Sequence, residues 1–215
     1  MATVRVVGVD VGARRLDAVA VDGDGRVLEA VAFAAGDVTG LAAWAEGAAA
    51  VAVDAPDAWS TAPHANDDAL PPKFRSARCA EIALGRRAGI WVPWTTPVEP
   101  LAGTWIAVGV SLWAALRTAG HAPTEVYPHA VFRVLNGGRR PGKKQTAEGR
   151  RQRAELLRTA GMAARAEATH DVLDATAAAL VALHHVRDTA QPITCGHDRS
   201  AIWLPAADIG VATTR

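Results

Sequence analysis

The N-terminal part of the chain alternates short apolar runs with turn residues, a pattern typical of β-strands. Residues 3–11 are rich in valine, and residues 16–22 alternate apolar and polar side chains. The glycines at 23 and 25 flank Asp24 in a predicted hairpin turn, and residues 26–33 supply a further apolar strand. The pattern therefore predicts a three-stranded antiparallel meander.

After the meander the pattern changes to helical spacing and then returns to a strand. A helix is predicted over 37–47, with Asp37 as its N-cap and Gly47 as its C-cap, and an apolar strand follows at 49–54. Because a helix between two apolar strands usually forms a crossover, we expect 49–54 to lie parallel to the first strand. This order predicts an α/β fold with a mixed sheet.

The rest of the chain is mainly helical, with a proline-rich interruption. Residues 55–72 combine four prolines with Asp and Asn and are predicted to form a loop. Further helices are predicted over 74–88, 104–119, 145–160 and 169–187, with strands at 124–127 and 201–204. No linker or repeat separates these segments, so we predict one domain over 1–215 with a helical and loop insertion at about 55–122.

Composition excludes several classes of protein. The chain of 215 residues has a net charge of +1 and is half apolar, which is typical of a globular and not of a disordered protein. No apolar run reaches the roughly 20 residues that span a bilayer, and the N-terminus resembles a strand and not a signal peptide. We therefore expect a cytoplasmic protein without a membrane partner. Cys79 and Cys195 are too few for a disulfide framework and lack zinc-finger spacing.

The near-neutral total hides a strong charge separation. Residues 1–68 carry 4 basic and 11 acidic side chains, whereas residues 139–165 carry 9 basic and 2 acidic ones. The basic stretch is either a solvated helix face or a surface that contacts phosphate. The candidate phosphate-binding residues, including one from the predicted helix at 74–88, are Arg78, Arg139, Arg140, Lys143, Lys144, Arg150 and Arg151. The tryptophans Trp91 and Trp94 are either core residues or surfaces for base stacking.

Acidic residues interrupt or follow the apolar strands at positions that suggest a site. Asp10 and Asp54 stand at the ends of two strands that we expect to be parallel, and such ends meet at one edge of a sheet. Asp171 and Asp174 are three residues apart and share a helix face, while Glu125 lies in a short strand. Converging carboxylates are typical ligands of Mg²⁺. Each acid also has an ordinary structural alternative as a turn residue, a first-turn helix residue or an ion-pair partner.

Several segments together resemble the domain-of-unknown-function 429 family, in order and over nearly the whole chain. They are VGVDVG, AVAVDAP, FRSARCAEIALGRRAGIWVP, TEVYPHAVFRVLNG, KKQTAEGRRQRAELL, HDVLDATAAALVA and AIWLP. This family is described as predicted nucleases with a ribonuclease H-like fold, related to resolvases of the RuvC type. The resemblance implies a mixed five-stranded sheet flanked by helices. It also implies a Mg²⁺- or Mn²⁺-dependent nuclease that acts on DNA or RNA by a two-metal mechanism.

The resemblance also assigns roles to the acids. Asp10, Asp54, Asp171 and Asp174 correspond to the metal ligands of ribonuclease H-like enzymes, and Glu125 belongs to a family motif that orients a water or a ligand. Two positions depart from the family pattern. The last helix starts with His170 where the family commonly has Asp, and the acid after Cys79 is displaced to Glu81. Both departures bear on how tightly a metal binds.

Two other functions stay open. One is a non-catalytic member of the same fold that binds nucleic acid or protein. The other is an actin-like or sugar-kinase-type ATPase, because VGVDVG also opens those folds. The ATPase hypothesis requires a second domain and a second glycine-rich phosphate motif, and the sequence shows neither. A homodimer is compatible with either function.

Overall fold

Three antiparallel strands form one side of the sheet. The computed structural model describes residues 4–206, and the strands are β1 (Arg5–Val11), β2 (Arg15–Asp22) and β3 (Val27–Ala34). β2 pairs antiparallel with both neighbours. The Asp22 carboxylate accepts hydrogen bonds from two backbone N–H groups of the hairpin turn. The predicted meander is confirmed, except that residue 3 lies outside the described residues.

The other strands continue the sheet beyond β1. Helix α1 (Val38–Trp44) leads to β4 (Ala50–Asp54), which pairs parallel with β1. The remaining strands are β5 (Thr124–Val126), β6 (Gln191–Ile193) and β7 (Ile202–Leu204). The sheet order is β3-β2-β1-β4-β5-β7-β6, and β5 is parallel to both β4 and β7.

The sheet therefore contains the predicted five-stranded mixed arrangement and two further strands. The five strands that the resemblance implies are too few, because β7, which the pattern predicted at 201–204, and the unpredicted β6 extend the sheet beyond β5. β6 has only three residues and includes Pro192, so it is too short to show alternation and its proline suits an edge strand.

Further helices flank this sheet. They are α2 (Cys79–Ala88), α3 (Trp105–Thr118), α4 (Pro128–Leu135), α5 (Ala147–Thr159) and α6 (His170–Val186). α2 begins later than predicted, because Pro72–Phe74 form a turn of 3₁₀-helix and Arg78 has an extended backbone. α4 was missed; its signal was Pro128 at the first helical position, where the lost N–H is not needed. The predicted insertion at 55–122 contains α2 and α3.

Helix α6 packs closely on the strands that carry the acids. A Cβ atom at Gly8 of β1 would lie 2.1 Å from both Ala175 O and Ala179 N, so only glycine permits this approach. Two residues after Gly8, on the same face of β1, Asp10 reaches the first turns of α6. The close contact thus fixes the distance between the strand ends and the acids of the helix.

Within residues 4–206, none of the helices combines the length and the hydrophobicity that crossing a membrane requires.

Candidate functional site

Asp10 and Asp54 lie side by side at the carboxyl ends of two parallel strands. They are direct partners in the register of β1 with β4. The side chains point to the face that α6 covers, because Gly8 lies two residues earlier on the same face. The strand-end prediction from sequence therefore corresponds to a real contact.

Helix α6 contributes two acids in different environments. Asp174 is buried and accepts from Lys144 Nζ at 2.8 Å and from an Arg153 guanidinium nitrogen at 3.1 Å. Asp171 is more exposed, and its Oδ1 lies 2.5 Å from His170 Nδ1. All four aspartates line the same cleft. The structure thus brings together the four acids that the resemblance identified as metal ligands.

The charges in this cluster are only partly compensated. Lys144 and Arg153 both form ion pairs with Asp174, whereas Asp10 and Asp54 form no ion pair with a basic side chain within residues 4–206. Removal from water, followed by the nearby Asp174 carboxylate, raises the pKa of Asp10 to about 8. Removal from water and the Asp10 carboxylate raise the pKa of Asp54 well above its usual range. Both acids resist ionisation because burial and the neighbouring carboxylates outweigh the charge of Lys144, which lowers both pKa values.

This donor set fits a hard divalent cation. It offers only carboxylate oxygens, which are the ligands that Mg²⁺ and Mn²⁺ prefer. Two of these carboxylates are partly buried and form no ion pair among residues 4–206, and a divalent charge between them would relieve their repulsion. The residues that would hold the cation are Asp10 and Asp54, with Asp174 and Asp171 completing the set.

The acids open into a cleft of about 840 Å³ whose walls are aromatic and basic. The Trp94 ring lies 4.9 Å from the Trp105 ring and 6.0 Å from the Tyr127 ring, between centroids. Burial, with the Asp54 carboxylate, raises the pKa of Tyr127 to about 12, so its hydroxyl stays protonated. Burial, together with nearby arginines, lowers the pKa of His129 to about 4, so its ring is neutral at pH 7.

Glu125 lies on the other face of the sheet. Its register partner is Val53 and not Asp54, so its side chain points away from the aspartate cluster. Its carboxylate accepts from two guanidinium nitrogens of Arg78, at 2.8 and 2.6 Å, and from the backbone N–H of Asp57 at 3.3 Å. Glu125 does not line the cleft. Its predicted catalytic role has no contact with the other acids to support it.

Arg78 is an interior residue, with only 2% of its side chain exposed. Besides Glu125, its guanidinium contacts Glu81 and Thr96 at 3.1 Å each. Burial opposes its charge, but the Glu125 and Glu81 carboxylates outweigh this effect and raise the pKa of Arg78. The prediction that Arg78 binds phosphate disagrees with this placement, because its donors are already engaged inside the protein.

The remaining predicted phosphate-binding residues fall into two groups. Arg140, Lys143 and Lys144 line the cleft. Arg139, Arg150 and Arg151 do not: Arg139 turns back to the Asn136 carbonyl, Arg150 donates to the Gln145 carbonyl, and Arg151 pairs with Glu148. Of the predicted phosphate-binding residues, those of the loop before α5 are therefore the ones that line the cleft.

Two polar residues near the site were missed in the sequence. Asp17 of β2 is the register partner of Asp10, is buried, and pairs with Arg15 at 2.6 Å. Arg153 holds Asp174 and lies over the Phe132 ring, 4.5 Å from its centroid. The alternation in β2 could have shown that Asp17 shares the face of Asp10. Nothing local distinguishes Arg153 from its exposed neighbours.

The order β3-β2-β1-β4-β5, in which β2 alone runs against the others, defines a ribonuclease H-like α/β protein. Residues 106–198 match the model of the family described as "Protein of unknown function (DUF429)". The match confirms the resemblance over this segment, which is less than half of the chain, and the N-terminal segments that resemble the family lie outside it. No curated protein matches the chain.

Two solved structures of RuvC from Thermus thermophilus are similar in fold. The structure with a Holliday junction substrate is 18% identical, covering 86% of this chain and 94% of that chain with a TM-score of 0.43. The other RuvC structure is 19% identical, covering 86% and 95% with a TM-score of 0.46. At these values the likeness assigns no activity to this chain.

Proposed function

We propose that this protein is a metal-dependent nuclease that hydrolyses phosphodiester bonds in DNA or RNA. The observation that carries the proposal is the pair of carboxylates Asp10 and Asp54, which form no ion pair in the described part of the chain and open into a cleft with basic walls. Negative groups would hold a cation at the base of such a cleft, and positive groups would hold a polyanion at its rim. This combination suits a phosphodiester substrate better than a neutral one.

A bound Mg²⁺ or Mn²⁺ would supply the activation of water and the stabilisation of the leaving oxygen. Asp10, Asp54, Asp171 and Asp174 would hold it. The protein itself orients this set: Arg153 and Lys144 fix the two oxygens of Asp174, and the close packing of α6 at Gly8 holds the helix against β1. Positioning within fractions of an ångström is what such chemistry requires.

The cleft walls would hold the nucleic acid. Arg140 and Lys143 offer charge to phosphate groups, and the protonated Tyr127 hydroxyl offers a hydrogen-bond donor. Trp94 and Trp105 offer aromatic faces on which unpaired bases can stack, worth about 1–3 kcal/mol for each base. Trp91 packs on Phe74 and does not line the cleft, so we assign base stacking to Trp94.

The direct test incubates the purified full-length chain with a panel of single-stranded, duplex and branched DNA and RNA. We expect cleavage with Mg²⁺ or Mn²⁺ and none with a chelator. The Asp10→Asn variant, purified in parallel, reveals contaminating nucleases because it retains every other surface. Absence of cleavage on the whole panel, or equal cleavage by both proteins, would remove the nuclease proposal.

A non-catalytic nucleic-acid-binding protein is the second candidate, and one contact favours it. Lys144 Nζ already lies 2.8 Å from Asp174, so a fixed cation satisfies one of the four acids. If this is the function, nucleic acid binds equally well in chelator and in Mg²⁺. Binding by Asp10→Asn is then also unchanged, and no substrate is cleaved.

The basic loop before α5 gives a prediction about substrate affinity. We expect the double change Arg140→Ala and Lys143→Ala to weaken binding of a single-stranded oligonucleotide. It should also make the slope of log K against log salt shallower by about 1.4, because each lost phosphate contact on a single strand contributes about 0.7. Fluorescence anisotropy at several salt concentrations measures both quantities. The matched control removes the same charge from α5 at Arg151 and Arg158, which lie outside the cleft. Equal losses in the two double variants would show that the effect is only net charge.

A further inference from the structure

Two cysteines and two histidines meet at a point that the sequence does not reveal. His64 comes from the loop after β4, Cys79 is the first residue of α2, and Cys195 and His197 lie between β6 and β7. Their sulfur and ring nitrogen atoms all lie within 4.8 Å of one another. Three segments of the chain therefore contribute to one cluster, and its first and last residues, His64 and His197, are more than 100 residues apart in the sequence.

The distances between sulfur and nitrogen correspond to the edges of a zinc tetrahedron. Zn–S bonds of about 2.3 Å and Zn–N bonds of about 2.1 Å give a sulfur–nitrogen edge of about 3.6 Å. His64 Nε2 lies 3.6 Å from Cys79 Sγ and 3.2 Å from Cys195 Sγ, and His197 Nδ1 lies 3.5 Å from Cys195 Sγ. Both imidazoles thus present a nitrogen to the sulfurs as ligands would.

The two sulfurs are paired as a disulfide in this structure, with Cα atoms 5.1 Å apart. A disulfide alone gives no reason for two imidazole nitrogens to face it. Within residues 4–206, the two sulfurs are the only atoms in hydrogen-bonding range of the buried His64 Nε2, and neither is a strong acceptor or donor. A metal ion gives this buried ring nitrogen a strong partner.

The charge of the cluster suits its position, which is buried at His64 and Cys79, half-buried at Cys195 and exposed at His197. In the reduced chain each thiol carries a proton; one Zn²⁺ replaces both protons, and two neutral imidazoles complete four ligands. The product of two thiolates, two imidazoles and Zn²⁺ has no net charge. A neutral unit of this kind can be buried without the large cost of an isolated ion. Cys79 and His64 are both buried.

Neighbouring groups already fix the ligands. The His197 backbone N–H donates to Cys79 Sγ at 3.1 Å, which is the usual support of a metal-bound sulfur. The Asp198 carboxylate accepts from the Cys79 N–H at 3.1 Å, and the Ser200 hydroxyl accepts from the Ala80 N–H at 2.9 Å. The segment between β6 and β7 therefore caps the start of α2 while it supplies two of the four ligands.

We propose that the reduced chain binds one Zn²⁺ through His64, Cys79, Cys195 and His197 as a structural site. Four protein ligands leave no open position for substrate, which is the mark of a structural and not a catalytic zinc site. The ion joins the loop after β4 and the segment between β6 and β7 to α2. It also fixes Arg78, the residue before Cys79, against Glu125. The zinc site does not depend on the proposed nuclease activity.

The test uses the full-length chain, reduced with a phosphine and freed of metal. We expect one Zn²⁺ bound per chain by elemental analysis. Titration with Co²⁺ is expected to give the intense visible bands of tetrahedral cobalt together with a thiolate charge-transfer band. Cys195→Ser removes part of the charge-transfer band. His64→Ala and His197→Ala weaken Zn²⁺ binding at least about tenfold, the loss expected even for an outer partner of a metal.

Two controls define the site. His121→Ala removes a histidine that is not part of the cluster and is expected to leave Zn²⁺ binding unchanged. Asp10→Asn is likewise expected to keep the zinc, which separates this site from the aspartate cluster. His197 is exposed, so its variant tests the proposal even where Cys79→Ser fails to fold. The zinc proposal would be contradicted if the reduced chain bound no Zn²⁺, or if neither histidine variant weakened binding. The cluster would then be a disulfide with two neighbouring imidazoles.

Discussion

Arg78→Ala is expected to lower the free energy of unfolding by about 3–5 kcal/mol, because it leaves buried carboxylates without their cation. Glu125 and Glu81 are 4% and 0% exposed, and both contact the guanidinium. Arg78→Lys should recover only part of the loss, since an ammonium cannot donate to Glu125 and Glu81 in the same planar arrangement. Chemical denaturation followed by circular dichroism measures the change.

Arg75→Ala is the matched control for this prediction. Arg75 also precedes α2 and also has an acidic partner, Asp68 at 3.1 Å, but its side chain is 36% exposed and that of Asp68 is 91% exposed. An exposed pair of this kind contributes about 0–1 kcal/mol. Combining Arg78→Ala with Glu125→Gln should restore part of the stability, because the buried negative charge is then removed. Equal effects of the Arg75 and Arg78 variants would contradict the interior role of Arg78.

Asp10→Asn is expected to reduce cleavage at least about 100-fold, because even the loss of an outer partner of a metal costs up to that factor. The same change is expected to stabilise the protein in the absence of metal. The pKa of Asp10 rises to about 8 in the fold, first through removal from water and then through neighbouring carboxylates. In the unfolded chain an Asp titrates near about 3.9. Between these two pKa values the Asp10 carboxyl is protonated in the folded state and ionised in the unfolded state. The free energy of unfolding therefore falls as the pH rises from the lower value to the higher one.

The titratable groups that face Asp10 come from four segments: Asp17 of β2, Asp54 of β4, Lys144 of the loop before α5, and Asp171 and Asp174 of α6. Asparagine cannot ionise, so it removes the cost of a negative charge among these acids. One pKa unit corresponds to about 1.4 kcal/mol. If ionising Asp10 in the folded state cost only this much, removing the cost would raise Tm by about 3 °C in a chain of this length. We expect Asp10→Asn to melt at least that much higher at pH 8.5 in chelator, with the difference shrinking towards pH 5.

Divalent cations should reverse the order of stability. Mg²⁺ at concentrations above its Kd raises the Tm of the wild type by mass action, and it has less effect on a variant that lacks one ligand. Asp68→Asn, which removes an equal charge from an exposed position, controls for net charge. A melting temperature of Asp10→Asn that stays below that of the wild type at every pH, in chelator, would show that Asp10 is not strained by its neighbours.

Particular elements show how far the sequence predicts this protein. The meander, the crossover to β4 and the long helix α6 follow from local patterns, because alternation and helical spacing each report which face of one segment is buried. The short helix α4 and strand β6 were missed, because Pro128 at the start of α4 also suits the end of a strand and Pro192 interrupts the three residues of β6. Asp10 and Asp54 were predicted to meet because both follow apolar strands, and the register makes them direct partners.

The sequence by itself determined most of the strands and helices and the acids at the strand ends, because each of these depends on neighbouring residues. Only the tertiary structure decided which face Glu125 occupies, since the register of β5 against β4 turns it away from the aspartates. It also decided that Arg78 is interior and that two cysteines and two histidines from three segments form one cluster. These features depend on contacts between distant parts of the chain, and no local pattern records them.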